Sequence, residues 1–398
     1  SLGGTILDVS METCCGPYNI PNIDIDAYCV YTNNGFSGAF RGFGAPQAVF
    51  AMESQMDIIA EKLQIDKLEI RKRNVVREGD VSTFGVKIPG SIGIDETLEI
   101  ASKSDLWLHR DAHKAKPSQP WCRRGVGIAC ALKGFTFGAL PDFGSASITL
   151  NEDGTFTVGV GCPDMGQGNV TAYGQIAAEE LGCRFEDVHI ASADTDLAPD
   201  TGSSSASRSV YVGGNAIIRA AEKIRALLIS YASQTLGEPE ENLECRDGAV
   251  MTRSHSERRA TYASLASHAH GKGDTAQVEA GFEVPRFERP VEGSLEIPHW
   301  AFMYTTAVAL VEVDTLTGRT KTLRFLIIPD SGRVINPQSF RGQCEGAVVQ
   351  GLGYALTEDA IIEDGRLKTP NFATYLIPTI MDAPDIEVVP VETFEKTG

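Results

Sequence analysis

The 398-residue sequence lacks most of the patterns that would announce a familiar enzyme. It holds nine cysteines (Cys14, Cys15, Cys29, Cys122, Cys130, Cys162, Cys183, Cys245 and Cys344) but no C-x-x-C pair. An odd count at irregular spacing argues against a disulfide framework and against a structural zinc site. Free thiols in a reducing, cytoplasmic setting fit better, most of them as small buried apolar residues. No apolar run approaches the roughly 20 residues that cross a bilayer, and the first residues show no signal-peptide pattern. There is no G-x-x-x-x-G-K-[ST] loop and no G-x-S-x-G elbow, and Gly42-Phe43-Gly44 lacks the third glycine and downstream acid of a dinucleotide fingerprint. Positive charge is also short: 35 Lys and Arg against 53 Asp and Glu give a formal net charge of -18. An acidic surface repels nucleic acid and anionic lipid, so neither nucleic acid nor membrane is an expected partner. The seven histidines are scattered. His109 and His113 are four apart, but in a polar stretch without an adjacent Glu, and read as surface residues.

What is abundant is glycine, with 40 residues, many in short clusters that suggest tight turns and close backbone approach. The length suggests two or three domains. Residues 18–32 alternate apolar and polar, as a strand does. A Gly-rich turn at 35–44 precedes Pro46, which suits a first helical turn. Ala48, Met52, Met56, Ile59 and Leu63 would give that helix one apolar face. A second helix at 66–76 carries Leu68, Ile70 and Arg71-Lys72-Arg73. The polar stretch 106–123 reads as a domain boundary. Strands are expected at 124–132, 144–150 and 155–161, the last two joined by the turn Asn151-Glu152-Asp153-Gly154. A helix at 169–182, a strand at 187–192, a Ser-rich loop at 200–209 and a helix at 212–232 follow. Residues 235–275 give no clear signal. Strands at 305–314 and 319–329 and a Gly-containing helix at 336–355 complete an α+β pattern.

Four glycine-framed segments could carry chemistry. In GAFRGFGAPQ (38–47), glycines let the backbone turn while Arg41 and Phe43 project, and the loop feeds a helix N-terminus whose free N–H groups attract anionic oxygen. An ordinary strand-to-helix turn is the other reading. In GCPDMGQGN (161–169), Gln167 lies between Gly166 and Gly168, and its amide both donates and accepts, which suits a heterocycle edge, a phosphate or simply its own loop. TGSSSASRS (201–209) offers hydroxyls that cap a helix or cradle a phosphate. GQCEGAVVQGLG (342–353) places four glycines in a helix, each costing about 1 kcal/mol relative to alanine. Close packing or approach to a ligand would explain them.

In this order, these segments resemble the molybdopterin subunit of the molybdenum hydroxylases, the family of xanthine dehydrogenase, aldehyde oxidase, carbon monoxide dehydrogenase and nicotinate dehydrogenase. GAFRGFGAPQ looks like the family's F-R-G-F-G-x-P-Q loop, and CPDMGQGN is similar to its M-G-Q-G loop. SSSASRSVYVGGNA resembles its Ser-rich pterin loop, and EGAVVQGLGYALTE its glycine-containing helix. The resemblance implies the family's cofactor-binding domains, with 1–115 ending a first one and 116–398 forming a second. It implies a molybdopterin, with the cytosine dinucleotide form left open, and no protein side chain directly on the metal. Gln167, Ser207, Ser209 and Gln350 would contact the pterin and its phosphates, along a backbone path through Gly42, Gly166, Gly168 and Ala206. Arg41 would lie beside the metal's ligands. Phe43 and a second aromatic, matched by Phe135, would clamp a flat ring, which favours a purine or other N-heteroaromatic over small aldehydes. Nicotinate dehydrogenase or aldehyde oxidoreductase chemistry is the alternative, and a non-catalytic cofactor carrier or scaffold is the alternative of another class.

The implied partners are the N-terminal half of the molybdenum subunit, an iron–sulfur subunit with 2Fe-2S clusters and an FAD subunit, in a hetero-oligomer. The family reaction hydroxylates an electron-poor carbon with oxygen from water. Two departures stand out. The family arginine that bonds a purine falls, by its offset from Arg41, on Val9; either the local alignment differs there or the substrate is not xanthine. The family's general-base glutamate lies in a G-A-K-G-x-G-E motif that follows the segment resembling 382–396, and these 398 residues do not include it. The chain by itself is therefore expected to show no hydroxylase activity.

Overall fold

The computed structural model describes residues 3–35, 38–82, 85, 87–88, 90–138, 141–254, 257–286 and 299–393. In chain order, the helices α1 (Gly3–Thr13), α2 (Ala45–Leu63), α3 (Lys67–Asn74) and α4 (Ile94–Lys103) come first, then the short α5 (Asp105–Leu108) and α6 (Arg110–Lys114). Strand β1 (Cys122–Phe135) leads to β2 (Phe143–Leu150), β3 (Phe156–Val160), α7 (Asn169–Leu181) and β4 (Val188–Ser192). Next come α8 (Gly214–Leu236), β5 (Leu243–Arg246), β6 (Ala249–Thr252), β7 (Arg259–Thr261), α9 (Tyr262–Gly271) and β8 (Gln277–Glu283). The last part holds β9 (Ala301–Asp314), β10 (Thr320–Asp330), α10 (Pro337–Leu356), β11 (Ile362–Glu363), β12 (Arg366–Leu367) and β13 (Asp385–Val388). The mixture is α+β. Among the described residues, no helix is long and apolar enough to cross a membrane.

The chain forms two compact units. The first gathers Ser1–Gly134, Phe287–Val334 and Phe340–Lys396; the second gathers Phe135–Arg286 with Ile335–Ser339. In the first, the sheet order is β1-β9-β10-β13, with β9 and β10 antiparallel and β10 and β13 parallel. Strand β9 alternates strictly, burying Tyr304, Thr306, Val308 and Leu310 on one face. Helix α4 covers that face with Ile94, Leu98 and Ala101, all fully buried. Thr97 and Thr306 satisfy each other's buried hydroxyls across the contact at 2.8 Å. In the second unit the sheet order is β4-β3-β2-β8, and α8 packs on it through Ala216, Ile217, Ala220 and Ile224.

Several expectations need correction. Residues 18–32 form no strand: Tyr18 makes an isolated bridge to Val75, and Tyr28, Val30 and Tyr31 are exposed beyond it. Alternation supplies a face, but a strand also needs a sheet edge to take its N–H and C=O groups. The buried face of α2 is rotated from the expected one. Met56 and Ala60 are buried, whereas Leu63 is 60% exposed and the buried partner is a charged residue, Glu53. Glu53 accepts from Arg71 Nε (2.8 Å) and the Cys130 N–H (2.9 Å), and Tyr18 Oη donates to its second oxygen. Arg71, the first of three successive basic residues on α3, is fully buried and also bonds Asp57 at 2.9 Å. Burial works against its charge, but Glu53 outweighs that and pushes the guanidinium up.

The stretch 106–123 is not a bare linker, because α5 and α6 lie in it and Leu106 and Trp107 are buried. Residues 235–275 hold the sheet β5-β6-β7 and α9, whose strands of three or four residues are too short to give a periodic signal. None of the nine cysteines forms a disulfide, and only four are buried: Cys15, Cys122, Cys130 and Cys162.

Candidate functional site

In the first unit, the loop before α2 turns on three successive positive φ angles: 96° at Gly42, 52° at Phe43 and 97° at Gly44. A side chain at Gly44 would put Cβ 2.4 Å from Ile6 O and Ser10 Oγ, and one at Gly42 would meet Pro46 at 2.5 Å. Glycine is therefore required at both. Ser10 of α1 anchors the turn by donating to Gly44 O at 3.1 Å. Pro46 stands in the first turn of α2, and Gly44 provides no side-chain cap. Held this way, Phe43 is half-buried and Arg41 is exposed.

Arg41 Nη2 donates to the backbone oxygen (3.1 Å) and Oε1 (3.2 Å) of Gln343 on α10. Gln47 Nε2 donates to Tyr354 Oη at 3.0 Å, and Phe40 stacks on the Tyr354 ring at 5.1 Å. Gln350 lies on the same helical face, two turns beyond Gln343 and one before Tyr354. Two of the four segments are thus joined here. The helix glycines divide: Gly353 is packed against Glu358 and Pro378, whereas Gly342 and Gly351 face open space.

The second unit joins the other two segments. Gly166 and Gly168 have φ of 100° and 90° and bracket Gln167. The Gln167 amide accepts from the Met165 N–H (2.5 Å) and donates to Pro163 O (3.2 Å) and Ser204 Oγ (3.1 Å). Ser204 in turn shares a hydrogen with Ser209 at 3.1 Å. Asp164 accepts from the N–H groups of Gly166 (2.7 Å), Gly168 (3.3 Å) and Val170 (3.2 Å). Burial opposes the Asp164 charge, but these backbone donors outweigh it and hold its carboxyl below the usual range. The N–H groups at this helix start are therefore already satisfied by an internal anion.

Ala206 and Ser207 both have positive φ (52° and 55°), which costs about 1–3 kcal/mol each for residues with a Cβ. Sequence reasoning missed what fixes them. Arg208, 1% exposed, donates Nε to Asp142 Oδ1 (2.7 Å), Nη1 to Thr201 O (2.7 Å) and Ser203 O (2.8 Å), and Nη2 to Phe143 O (2.8 Å). One buried guanidinium thereby clamps both ends of the Ser-rich loop, and the exposed Ser207 sits beside it. The signal was a single arginine inside a run of small hydroxyl residues. Asn169 was missed as well: it is 3% exposed, and its Nδ2 has no hydrogen-bond partner. Phe135 meets Tyr211 edge-on at 5.0 Å, and Tyr211 meets Phe282 at 5.5 Å, so it heads an aromatic row. Val9 is buried in α1. His109 and His113 both bond Asp105, at 2.9 and 3.2 Å.

The donor set in both units is amide, hydroxyl, guanidinium and backbone. Among the described residues, no group of three or more His, Cys, Asp or Glu could hold a metal ion. With the orphan Asn169 amide and the glycine turns, these donors suit a pterin and its phosphates rather than a directly ligated ion. Residues 99–384 and 1–75 match the models of two families, each described as a molybdopterin cofactor-binding domain. The chain belongs to the molybdopterin-binding subunits of the molybdenum hydroxylase family.

It is 35% identical over 398 residues to a probable xanthine dehydrogenase subunit of Bacillus subtilis (strain 168), covering 100% of this chain and 51% of that protein. It is 30% identical to the nicotine 6-hydroxylase large subunit of Paenarthrobacter nicotinovorans, covering 96% of this chain and 47% of that one. Among solved structures, quinoline 2-oxidoreductase from Pseudomonas putida 86 matches with a TM-score of 0.85 at 25% identity, over 98% of this chain and 50% of that one. The chain spans about half the length of the curated relatives it matches.

Proposed function

We propose that this chain is the molybdopterin-binding part of an oxidoreductase that hydroxylates a purine or other N-heteroaromatic carbon with water as the oxygen source. The observation that carries the reading is the pairing of the four segments. Arg41 of the first loop bonds Gln343 on the helix of Gln350, and Gln167 of the second loop bonds Ser204 of the Ser-rich loop. When bound, the molybdenum pterin supplies the two-electron redox chemistry. The residues proposed to hold it are Gln167, Asn169, Ser207, Ser209 and Gln350, through amide and hydroxyl hydrogens, along the backbone of Gly42, Gly166, Gly168 and Ala206. Asp164 already occupies the nearby N–H groups, so phosphate oxygens must find side-chain donors instead. Arg41 supplies a fixed positive charge at the first loop.

For the substrate, Phe43 and Phe135 are proposed to contribute aromatic rings, which would favour a flat heterocycle. The names of xanthine dehydrogenase, nicotine 6-hydroxylase and quinoline 2-oxidoreductase point the same way. We assign the two cofactor-binding domains to 1–115 and 116–398. Iron–sulfur and FAD subunits in a cytoplasmic hetero-oligomer would carry electrons away. The test is a screen of the whole enzyme with its partners, in heavy-oxygen water, against purines, nicotinate, quinoline and aldehydes. Labelled hydroxylated heterocycle is the expected product. An enzyme turning over aldehydes alone would overturn the substrate class, and a molybdenum-free protein with no turnover would make the chain a scaffold.

A further inference from the structure

Helix α1 ends at Thr13, whose hydroxyl donates back to Val9 O at 2.7 Å. The chain then reverses: Gly16 N–H bonds Thr13 O at 2.9 Å, and Gly16 has φ +58°. The reversal brings the thiols of Cys14 and Cys15 to 3.9 Å. Cys15 is 6% exposed, while Cys14 is partly open to solvent, so reagents reach the pair from one side.

The separation discriminates between uses of the pair. A disulfide needs sulfurs about 2.05 Å apart and usually Cα atoms at least about 4.4 Å apart. Adjacent residues are held at about 3.8 Å, so a vicinal disulfide would be strained. The hydrogen bond shared with Cys15, together with burial, pushes the Cys14 thiol up, so the pair rests as two neutral thiols. By contrast, one thiophilic centre with bonds of about 2.3 Å holds two sulfurs roughly 3.3–3.8 Å apart across bond angles of about 90–110°, a small inward shift from the 3.9 Å of this pair. A structural zinc ion would need about four ligands, and the described residues contain no group of three or more His, Cys, Asp or Glu placed to supply them. A centre that asks for two thiols and no more fits what is present.

We infer that Cys14 and Cys15 form a two-thiol binding site for a singly substituted trivalent arsenical. The step balances without oxidation: R–As(OH)2 and two thiols give R–As(S-Cys)2 and two waters. Two As–O and two S–H bonds break, two As–S bonds form, each thiol proton leaves on a departing hydroxide, and arsenic stays trivalent. The site is separate from the cofactor loops and independent of the proposed function. It lies just past the end of α1, the helix whose Ser10 donates to Gly44 O.

The test titrates the full chain, free of added thiol, with phenylarsine oxide and reads intact mass. One adduct is expected, released by 2,3-dimercaptopropanol but not by the same concentration of 2-mercaptoethanol. Peptide mapping of the wild-type adduct should place it on the peptide holding both Cys14 and Cys15. Cys14→Ser and Cys15→Ser should each lose the monothiol-resistant adduct, and Cys29→Ser should keep it. Absence of a monothiol-resistant adduct in wild type, its mapping to other cysteines, or its survival in a folded Cys14→Ser variant would each overturn the site.

Discussion

Replacing Arg208 with methionine keeps much of the side-chain volume but removes the guanidinium donors that clamp the Ser-rich loop. The Asp142 carboxylate, 2% exposed, would keep only the Phe137 N–H at 3.0 Å. The carbonyls of Thr201, Ser203 and Phe143 would each lose a donor. Breaking a buried ion pair from one side costs about 3–5 kcal/mol, because the remaining charge is stranded. For a unit of roughly 150 residues, each kcal/mol lowers the midpoint by about 2–4 °C. The second unit of Arg208→Met should therefore unfold roughly 6–20 °C earlier by calorimetry. Removing both charges, in Arg208→Met with Asp142→Leu, should recover a large part of that loss. A single variant within about 1 kcal/mol of wild type, or a strictly additive pair, would show that Arg208 is not the clamp described.

Three further outcomes are expected. Gln167→Ala cuts the amide bridge to Ser204, so the enzyme assembled with it should hold clearly less molybdenum than wild type by elemental analysis; unchanged content counts against the assignment of Gln167. Gly44→Ala forces a Cβ to within 2.4 Å of Ile6 O at φ 97°, so its urea midpoint should report a loss of at least about 2 kcal/mol. Glu12 bonds the His299 ring at 2.5 Å and its backbone N–H at 2.9 Å. Burial opposes the Glu12 charge, but His299 outweighs it and holds the carboxyl below its ordinary value of 4.5. A lowered carboxyl lends stability that is complete above 4.5 and is lost as pH falls through the folded value. Stability measured from about pH 6 to pH 3 should fall more steeply for wild type than for Glu12→Gln, and parallel curves would refute the pairing.

Much of the fold was legible where periodicity was long and turns were chemically specified. The hairpin at Asn151–Gly154, the helix after Pro46 and strand β9 all follow from local pattern. The failures share a cause. The strand expected after Tyr18 required a neighbouring edge that no local pattern can reveal. The face of α2 was displaced because Arg71, from another helix, pairs with Glu53 and draws it inward. The tight turns at Gly42, Gly44, Gly166 and Gly168 were legible, since all four glycines have positive φ. Arg208 and Asn169 were not, because their importance lies in burial and in what their polar atoms bond, which spacing along the chain does not encode.

The central claim is that these loops form a molybdopterin cradle, and its most direct test is the molybdenum and extractable pterin content of the whole enzyme. Purified from cells that make the cofactor, wild type should carry close to one molybdenum and one pterin per chain, with both falling together in Gln167→Ala. A folded, fully assembled enzyme carrying neither would contradict the account.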